Sequence, residues 1–168
     1  ALEEELDEPE EEFIYDDVNK IYSKETANPD EVVMRFVGDV CFFDGFSLMG
    51  AFRDRGSDIA NCIDANLLTL MRDADIFMLN NEFCYSERGT PIEGKKYAFR
   101  SKPSNVTILA DMGADIVSLA NNHADDWGPD AVSDTVDVLN NAKVPFVGAG
   151  KDIYDAMQAL EYEINTLY

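Results

Sequence analysis

The chain has 168 residues, of which 46% are hydrophobic, enough for one domain with a sizeable core. Acidic residues outnumber basic ones by 34 to 13, a formal net charge of −21. That balance excludes a nucleic-acid-binding surface, which needs a basic face, and suits divalent metals or cationic partners. Cys41, Cys62 and Cys84 are widely spaced and form no CxxC pair, so they read as small buried hydrophobes rather than a disulfide framework. No run approaches the roughly 18 apolar residues of a membrane span, and no signal-peptide pattern is present.

The charge is concentrated at the start. Residues 1–31 hold 13 acidic and 2 basic residues, so −11 lies there and −10 in the remaining 137 residues. Residues 2–12 are nearly continuous Glu and Asp, which predicts a disordered arm by self-repulsion. The apolar residues from Phe13 to Tyr22 predict a short docked helix or a loosely held strap. Asn28-Pro29-Asp30 marks the turn into a domain over residues 32–168. The abrupt opening on Ala1-Leu2-Glu3 reads as a trimmed start.

Residues 32–37 are β-branched and apolar, a strand signal that ends at Gly38-Asp39. A helix is expected from Ser57 or Asp58 to about Arg72, with Ile59, Cys62, Ile63, Leu67, Leu70 and Met71 at helical spacing. Residues 75–79 form a second buried strand, ending at Asn80-Asn81-Glu82. Residues 87–96 read as a loop or hairpin, 97–100 as a short strand, and 104–112 as a helix closed by Gly113. Residues 114–119 are a third strand, leading into Ala120-Asn-Asn-His-Ala-Asp-Asp-Trp-Gly128. Pro129 starts a helix with Val132, Thr135, Val136 and Leu139 facing inward. A fourth strand over 144–147 and a helix over 152–160 follow; residues 161–168 begin a fifth strand without an evident partner. Short apolar strands alternating with helical patterns make the fold α/β, a layered, mostly parallel sheet with flanking helices.

Three strands therefore end in polar residues: Asp39, then Asn80 with Glu82, then Asn121-Asn122-His123. In a parallel sheet these ends share one edge. Carboxylate, amide oxygen and imidazole are the ligands of a hard to borderline divalent cation such as Mn, Fe, Zn or Mg. Such cations activate water and polarise a phosphoryl or acyl oxygen. His123 is the chain's single histidine. Arg100 fits either an anionic ligand or a structural ion pair, and Trp127 and Gly128 read as packing and turn residues. No Gly-rich phosphate loop of the usual pattern is present.

Four ordered pieces resemble the bacterial poly-gamma-glutamate capsule-synthesis family, which is related to the calcineurin-like metallophosphoesterases. They are Phe36-Val-Gly-Asp-Val40, Asn80-Asn-Glu82, Lys96-Tyr-Ala-Phe-Arg100 and Ser118-Leu-Ala-Asn-Asn-His-Ala-Asp-Asp-Trp-Gly128, with Val147-Gly-Ala-Gly150 also fitting. The resemblance implies a metallophosphatase-like layered fold. It further implies Asp39, Glu82 and Asn122 as divalent-metal ligands, and His123 as acid or oxyanion donor oriented by Asp126. Asn80 and Arg100 would contact substrate. Cys41 stands where phosphoesterases have a histidine ligand. The later histidines of the family have no counterpart after His123. The expectation is the N-terminal part of a longer domain, with an exposed edge completed by a missing half or by self-association. The expectation is an extracytoplasmic protein acting on an anionic polymer or its precursor, alone or with other capsule-assembly proteins; the arm's charge and the abrupt start add the expectation of a membrane anchor upstream of it. The alternative is a non-catalytic component of a capsule-assembly complex on the same fold.

Overall fold

The structure is a computed structural model that describes residues 13–26 and 28–165. The expected disordered arm over residues 2–12 lies outside the described residues. The chain divides into two compact units, Ala1–Val32 with Leu160–Tyr168, and Val33–Ala159.

In the larger unit the apolar runs form a four-stranded sheet of order β3-β4-β7-β8, every pair parallel. The strands are β3 (Met34–Val40), β4 (Ile76–Asn81), β7 (Ile116–Ser118) and β8 (Phe146–Val147). The crossovers carry α1 (Ser47–Asp54), α2 (Ala65–Arg72), α3 (Thr107–Met112) and α4 (Pro129–Asn141), so the unit is α/β with a parallel sheet flanked by helices. Central strands of such a sheet are buried on both faces. Phe77 and Leu79 of β4, Val117 of β7, Leu109 of α3 and Leu139 of α4 are all at most 1% exposed. Each such side chain contributes about 1.5–3 kcal/mol relative to exposure. Gly113 closes α3 at φ 80°, as its position predicts.

The outer strand β3 is different. It has one sheet neighbour, and Met34 (49%) and Phe36 (63%) lie in solvent. β3 also runs on through Gly38-Asp39, past the expected end at Val37. It does so by an irregularity between Phe36 and Asp39 that sets Asp39 opposite Asn80 and Val40 opposite Asn81.

The single helix expected over residues 58–72 is broken. A 3-10 turn spans Ile59–Asn61, and α2 begins only at Ala65. The cause is local: Asp64 caps a new helix by accepting from the Asn66 and Leu67 amides, while Asp58 caps the turn through the Ala60 amide. The break re-phases the helix, so Leu68 and Met71 face the core while Leu67 and Leu70 are about half exposed. Helix α1 was not foreseen; Phe46 before it gives no side-chain cap, and Gly50, a poor helix former, lies within it. The final helix is shorter than expected: α5 spans Ile153–Ala156, capped by Asp152.

The smaller unit replaces the expected helix or strap with a sheet. β1 (Ile14–Asp16) pairs antiparallel with β2 (Ile21–Lys24), and β2 pairs parallel with β9 (Glu161–Ile164). The expected fifth strand thus has a partner, supplied by residues 21–24. Alternation puts aromatic rings on one face: Tyr22 stacks on Tyr162 at 5.1 Å, with Tyr15 and Phe13 around them.

Candidate active site at the strand ends

The polar strand ends do converge, through one continuous hydrogen-bond chain. The irregularity in β3 turns Asp39 toward β4, where its Oδ1 accepts from Asn80 Nδ2 at 2.7 Å. Asn80 Oδ1 accepts from Asn121 Nδ2 at 3.0 Å, and the same amide reaches the Asn81 carbonyl. Asn121 Oδ1 in turn accepts the backbone N–H of His123 at 2.9 Å. Glu82 is tied beside β3 by its amide, which donates to the Val40 carbonyl at 3.0 Å. Three strands are thereby locked to one another at their carboxyl ends.

His123 is held more tightly than any residue around it. Its Nδ1 meets Asp126 Oδ2 at 2.7 Å, the geometry of a ring N–H donating to a carboxylate. Its ring stacks on Phe99, centroids 4.4 Å apart, and its Nε2 faces Glu82 Oε1 at 3.9 Å. Asp126 is fully buried. Burying a carboxylate is costly unless it is paired, and this one is paired twice over. Its Oδ2 also accepts the Phe99 amide at 2.6 Å, and the Lys95 ammonium lies against its Oδ1. Lys95 also donates to the Asn122 carbonyl. Residues 92–99 are thus stitched onto residues 121–126 through one carboxylate.

Local geometry explains the stitching. Gly128, at φ 83°, turns the chain into α4 with Pro129 at its first position. Gly89, at φ 80°, lies against the Trp127 carbonyl so closely that an added Cβ would come within 2.1 Å of that oxygen. Only glycine fits there.

Of the expected site residues, Asp39, Asn80, Glu82, His123 and Asp126 come together. Asn122 lies beside them with its side chain exposed, and its neighbour Asn121 is the amide hydrogen-bonded into the cluster. Arg100 is also turned elsewhere. Its guanidinium stacks on Trp127, 3.5 Å from the ring centroid, and Nη1 donates to the Arg88 carbonyl. The ion pair in that region belongs to Arg88 with Asp134. That contact raises the guanidinium's pKa and lowers the carboxyl's. Cys41 packs against the core, and burial pushes its thiol up to about 11. With no cation beside it, the thiol stays protonated at neutral pH.

Sequence reasoning gave no role to Lys95 or Phe99 and assigned the inward amide to Asn122 rather than Asn121. Asn121 shares its motif with Asn122, and nothing in the spacing says which amide turns inward. Lys95 and Phe99 each lie 27 residues from their partners in the loop, a separation no periodicity reports.

The donor chemistry fits a divalent cation: Asp39 and Glu82 supply carboxylates, Asn122 an amide oxygen, and His123 Nε2 an imidazole nitrogen. The fit is in donor type. No three His, Cys, Asp or Glu side chains among the described residues already converge on one point.

Comparison with known proteins follows the same lines. A family described as bacterial capsule synthesis protein PGA_cap matches residues 33–167. The probable polyglutamine synthesis accessory protein Rv0574c of Mycobacterium tuberculosis is 33% identical over 85 residues, covering 51% of this chain and 22% of that protein. The PGA biosynthesis protein CapA of Bacillus subtilis is 25% identical over 142 residues, covering 82% of this chain and 35% of that protein. The capsule biosynthesis protein CapA of Bacillus anthracis is 28% identical over 71 residues, covering 42% of this chain and 17% of that protein. The chain thus spans about a third or less of the length of these relatives. With four-fifths of its residues inside the family match, the chain belongs to the bacterial capsule synthesis family PGA_cap.

Proposed function

We propose that this chain carries the first part of a metal-assisted hydrolase or transferase site that acts in making or trimming an anionic cell-surface polymer. Relatives are named for PGA and capsule biosynthesis; by the family resemblance the polymer would be poly-gamma-glutamate and the scissile group an amide or a phosphoester. The observation that carries the reading is His123, fixed through Nδ1 by a fully buried Asp126 and presenting Nε2 toward Glu82. A histidine used only for packing does not need a buried carboxylate at its back.

A divalent cation, held by Asp39, Glu82 and Asn122, would supply Lewis-acid polarisation of the scissile oxygen and a nucleophilic water. The chain's own residues do the rest. Asp126 holds the imidazole ring in one orientation. His123 then delivers a proton from Nε2 to the leaving group, or donates a hydrogen bond to the developing oxyanion. Phe99 covers one face of the ring and keeps water from it. Asn80 keeps Asp39 in place by donating to it.

The test uses the full-length protein with manganese or zinc, assayed on gamma-glutamyl and phosphoester substrates. Metal retention and turnover are expected in the native protein. Loss of turnover is expected in His123→Ala, and loss of metal in the Asp39→Asn, Asn122→Ala double variant. No bound metal and no turnover in the native protein would overturn the reading.

A second reading, a non-catalytic component of a capsule-assembly complex, is favoured by Cys41. By the resemblance, a half-buried cysteine stands where the phosphoesterases place a histidine. Under the first reading the full-length protein works outside the cytoplasm, anchored through a segment upstream of the acidic arm. No helix among the described residues is long and apolar enough to cross a membrane. A full-length precursor without an N-terminal membrane segment would sink that placement.

A further inference from the structure

Lys95 reaches the candidate site from a turn built to deliver it. The Lys95 amide donates to the Ile92 carbonyl at 3.2 Å, closing a turn whose third residue, Gly94, has φ 81°. That position favours glycine, because a Cβ is strained there. The Ile92 amide donates to the Asp126 carbonyl at 3.0 Å, so the turn is moored to the loop it serves. The Lys95 ammonium then meets two groups of that loop. It lies against Asp126 Oδ1 and donates to the Asn122 carbonyl, with Asp125 Oδ1 3.8 Å away. Its side chain is 24% exposed, against 48% for Lys151, 54% for Arg53 and 59% for Arg88 in their own ion pairs. Exposed pairs contribute little, whereas a cation set against a fully buried carboxylate is costly to remove.

Each contact fixes something that the other site residues leave open. Asp126 Oδ2 is taken by the Phe99 amide and by His123 Nδ1. Asp126 Oδ1 has no hydrogen-bond donor among the described residues and faces the Lys95 ammonium as an ion pair. Without that ammonium a buried oxygen is left bare, and the carboxylate gains by rotating it toward the donors that now serve Oδ2. His123 Nδ1 then has no fixed acceptor. The Asn122 side chain is exposed, and no hydrogen bond holds its amide among the described residues. Its direction is therefore set by its backbone, which Lys95 grips at the carbonyl.

We propose that Lys95 is a positioning residue of the candidate site: one ammonium, held by Asp126 and by the Asn122 carbonyl, sets the His123 imidazole and the Asn122 amide in register with each other. It touches no reacting atom and acts through those two residues, as the outer partners of a metal site do. The proposal deepens the proposed function and rests on it for the roles of His123 and Asn122. The register itself is a property of the folded chain, present without metal or substrate.

His123 is the single histidine, so nitrogen-15 histidine labelling of the chain gives NMR signals from one ring. The native chain is expected to show a slowly exchanging Nδ1–H proton, shifted downfield by its bond to Asp126. Lys95→Met is expected to lose that signal to fast exchange while its circular dichroism stays native. Lys95→Arg, which returns a cation of similar reach, is expected to recover it. Lys95→Gln keeps a donor without the charge; it is expected to fall between the two, and it is the variant read if Lys95→Met does not fold. In the full-length protein, kcat of Lys95→Met should fall about 10–100-fold, recovered in Lys95→Arg, with KM little changed. A folded Lys95→Met or Lys95→Gln that keeps the native Nδ1–H signal overturns the proposal, even where its urea midpoint falls, because Lys95 then only supports the fold. Absence of the signal from the native chain, or its loss in Lys95→Arg as in Lys95→Met, overturns it too. Should the native full-length protein show no turnover while the signal follows the Lys95 series, the functional reading fails and the positioning stands.

Discussion

The two halves of the candidate site are built to different standards. The Lys95–Asp126–His123 half is buried: the Lys95 side chain is 24% exposed, that of His123 12%, and that of Asp126 0%. Asp126 Oδ2 accepts the Phe99 amide and meets His123, and Oδ1 faces the Lys95 ammonium as an ion pair. The Asp39–Asn122 half is exposed, and one amide, Asn80, is what holds the Asp39 carboxylate. A proton-handling group works only in one orientation, so its supports are built into the fold. Oxygen donors that await a cation keep their lone pairs open, and the fold gains little from them alone. The contrast therefore separates stability from binding.

The largest expected effect lies in the buried half. Asp126→Ala leaves Lys95 without its carboxylate and unties residues 92–99 from residues 121–126, so a loss of about 3–5 kcal/mol is expected in urea unfolding. A loss under about 1 kcal/mol would show that the carboxylate is solvated after all. Gly89→Ala probes the same seam from its backbone side. A left-handed alanine pressed on the Trp127 carbonyl should cost about 1–3 kcal/mol, seen as a lower urea midpoint with an unchanged slope.

Crossing to the exposed half, Asp39→Asn should change stability by no more than about 0.5 kcal/mol. Manganese affinity, followed by calorimetry, should nevertheless fall. A variant that unfolds instead would erase the distinction between the halves. The smallest effect belongs to the exposed Arg88–Asp134 pair. Arg88 lowers the Asp134 carboxyl in the folded state. Its contribution is therefore present above the ordinary carboxylate value near 4 and lost as pH falls below it. The Arg88 side chain is 59% exposed, so solvent screens the pair. The difference in unfolding midpoint between the native chain and Arg88→Gln should be slight at neutral pH and disappear in acid.

The same contrast governs what could be read from the sequence. Strands ending in Asp39, Asn80 and Asn121 were legible because an apolar run that breaks into polar residues is a local pattern. The parallel sheet followed from their order. Lys95 was not legible, because its partner Asp126 is brought to it by a turn at Gly128 and a close approach at Gly89, neither visible as periodicity. The inward amide was ambiguous between Asn121 and Asn122 for the same reason: a loop has no period. The helix over residues 58–72 failed at Asp64, where a capping side chain outweighed an apolar spacing that continued through the break. β9 went unmatched because its partner, β2, lies at the other end of the chain.

That last pairing sets a constraint on synthesis. Thr26 and Asn165, which bond side chain to side chain just past the paired ends of β2 and β9, are separated by 139 residues. At about 5–20 residues per second, the ribosome needs roughly 7–28 s to deliver the second after the first. Through that interval the β1–β2 hairpin has emerged with one edge open, carrying Tyr15 and Tyr22 on a strand pair too small to be stable alone. The 13 acidic residues among the first 31 give such a waiting segment a strong negative charge, and like charge opposes edge-to-edge pairing of two copies.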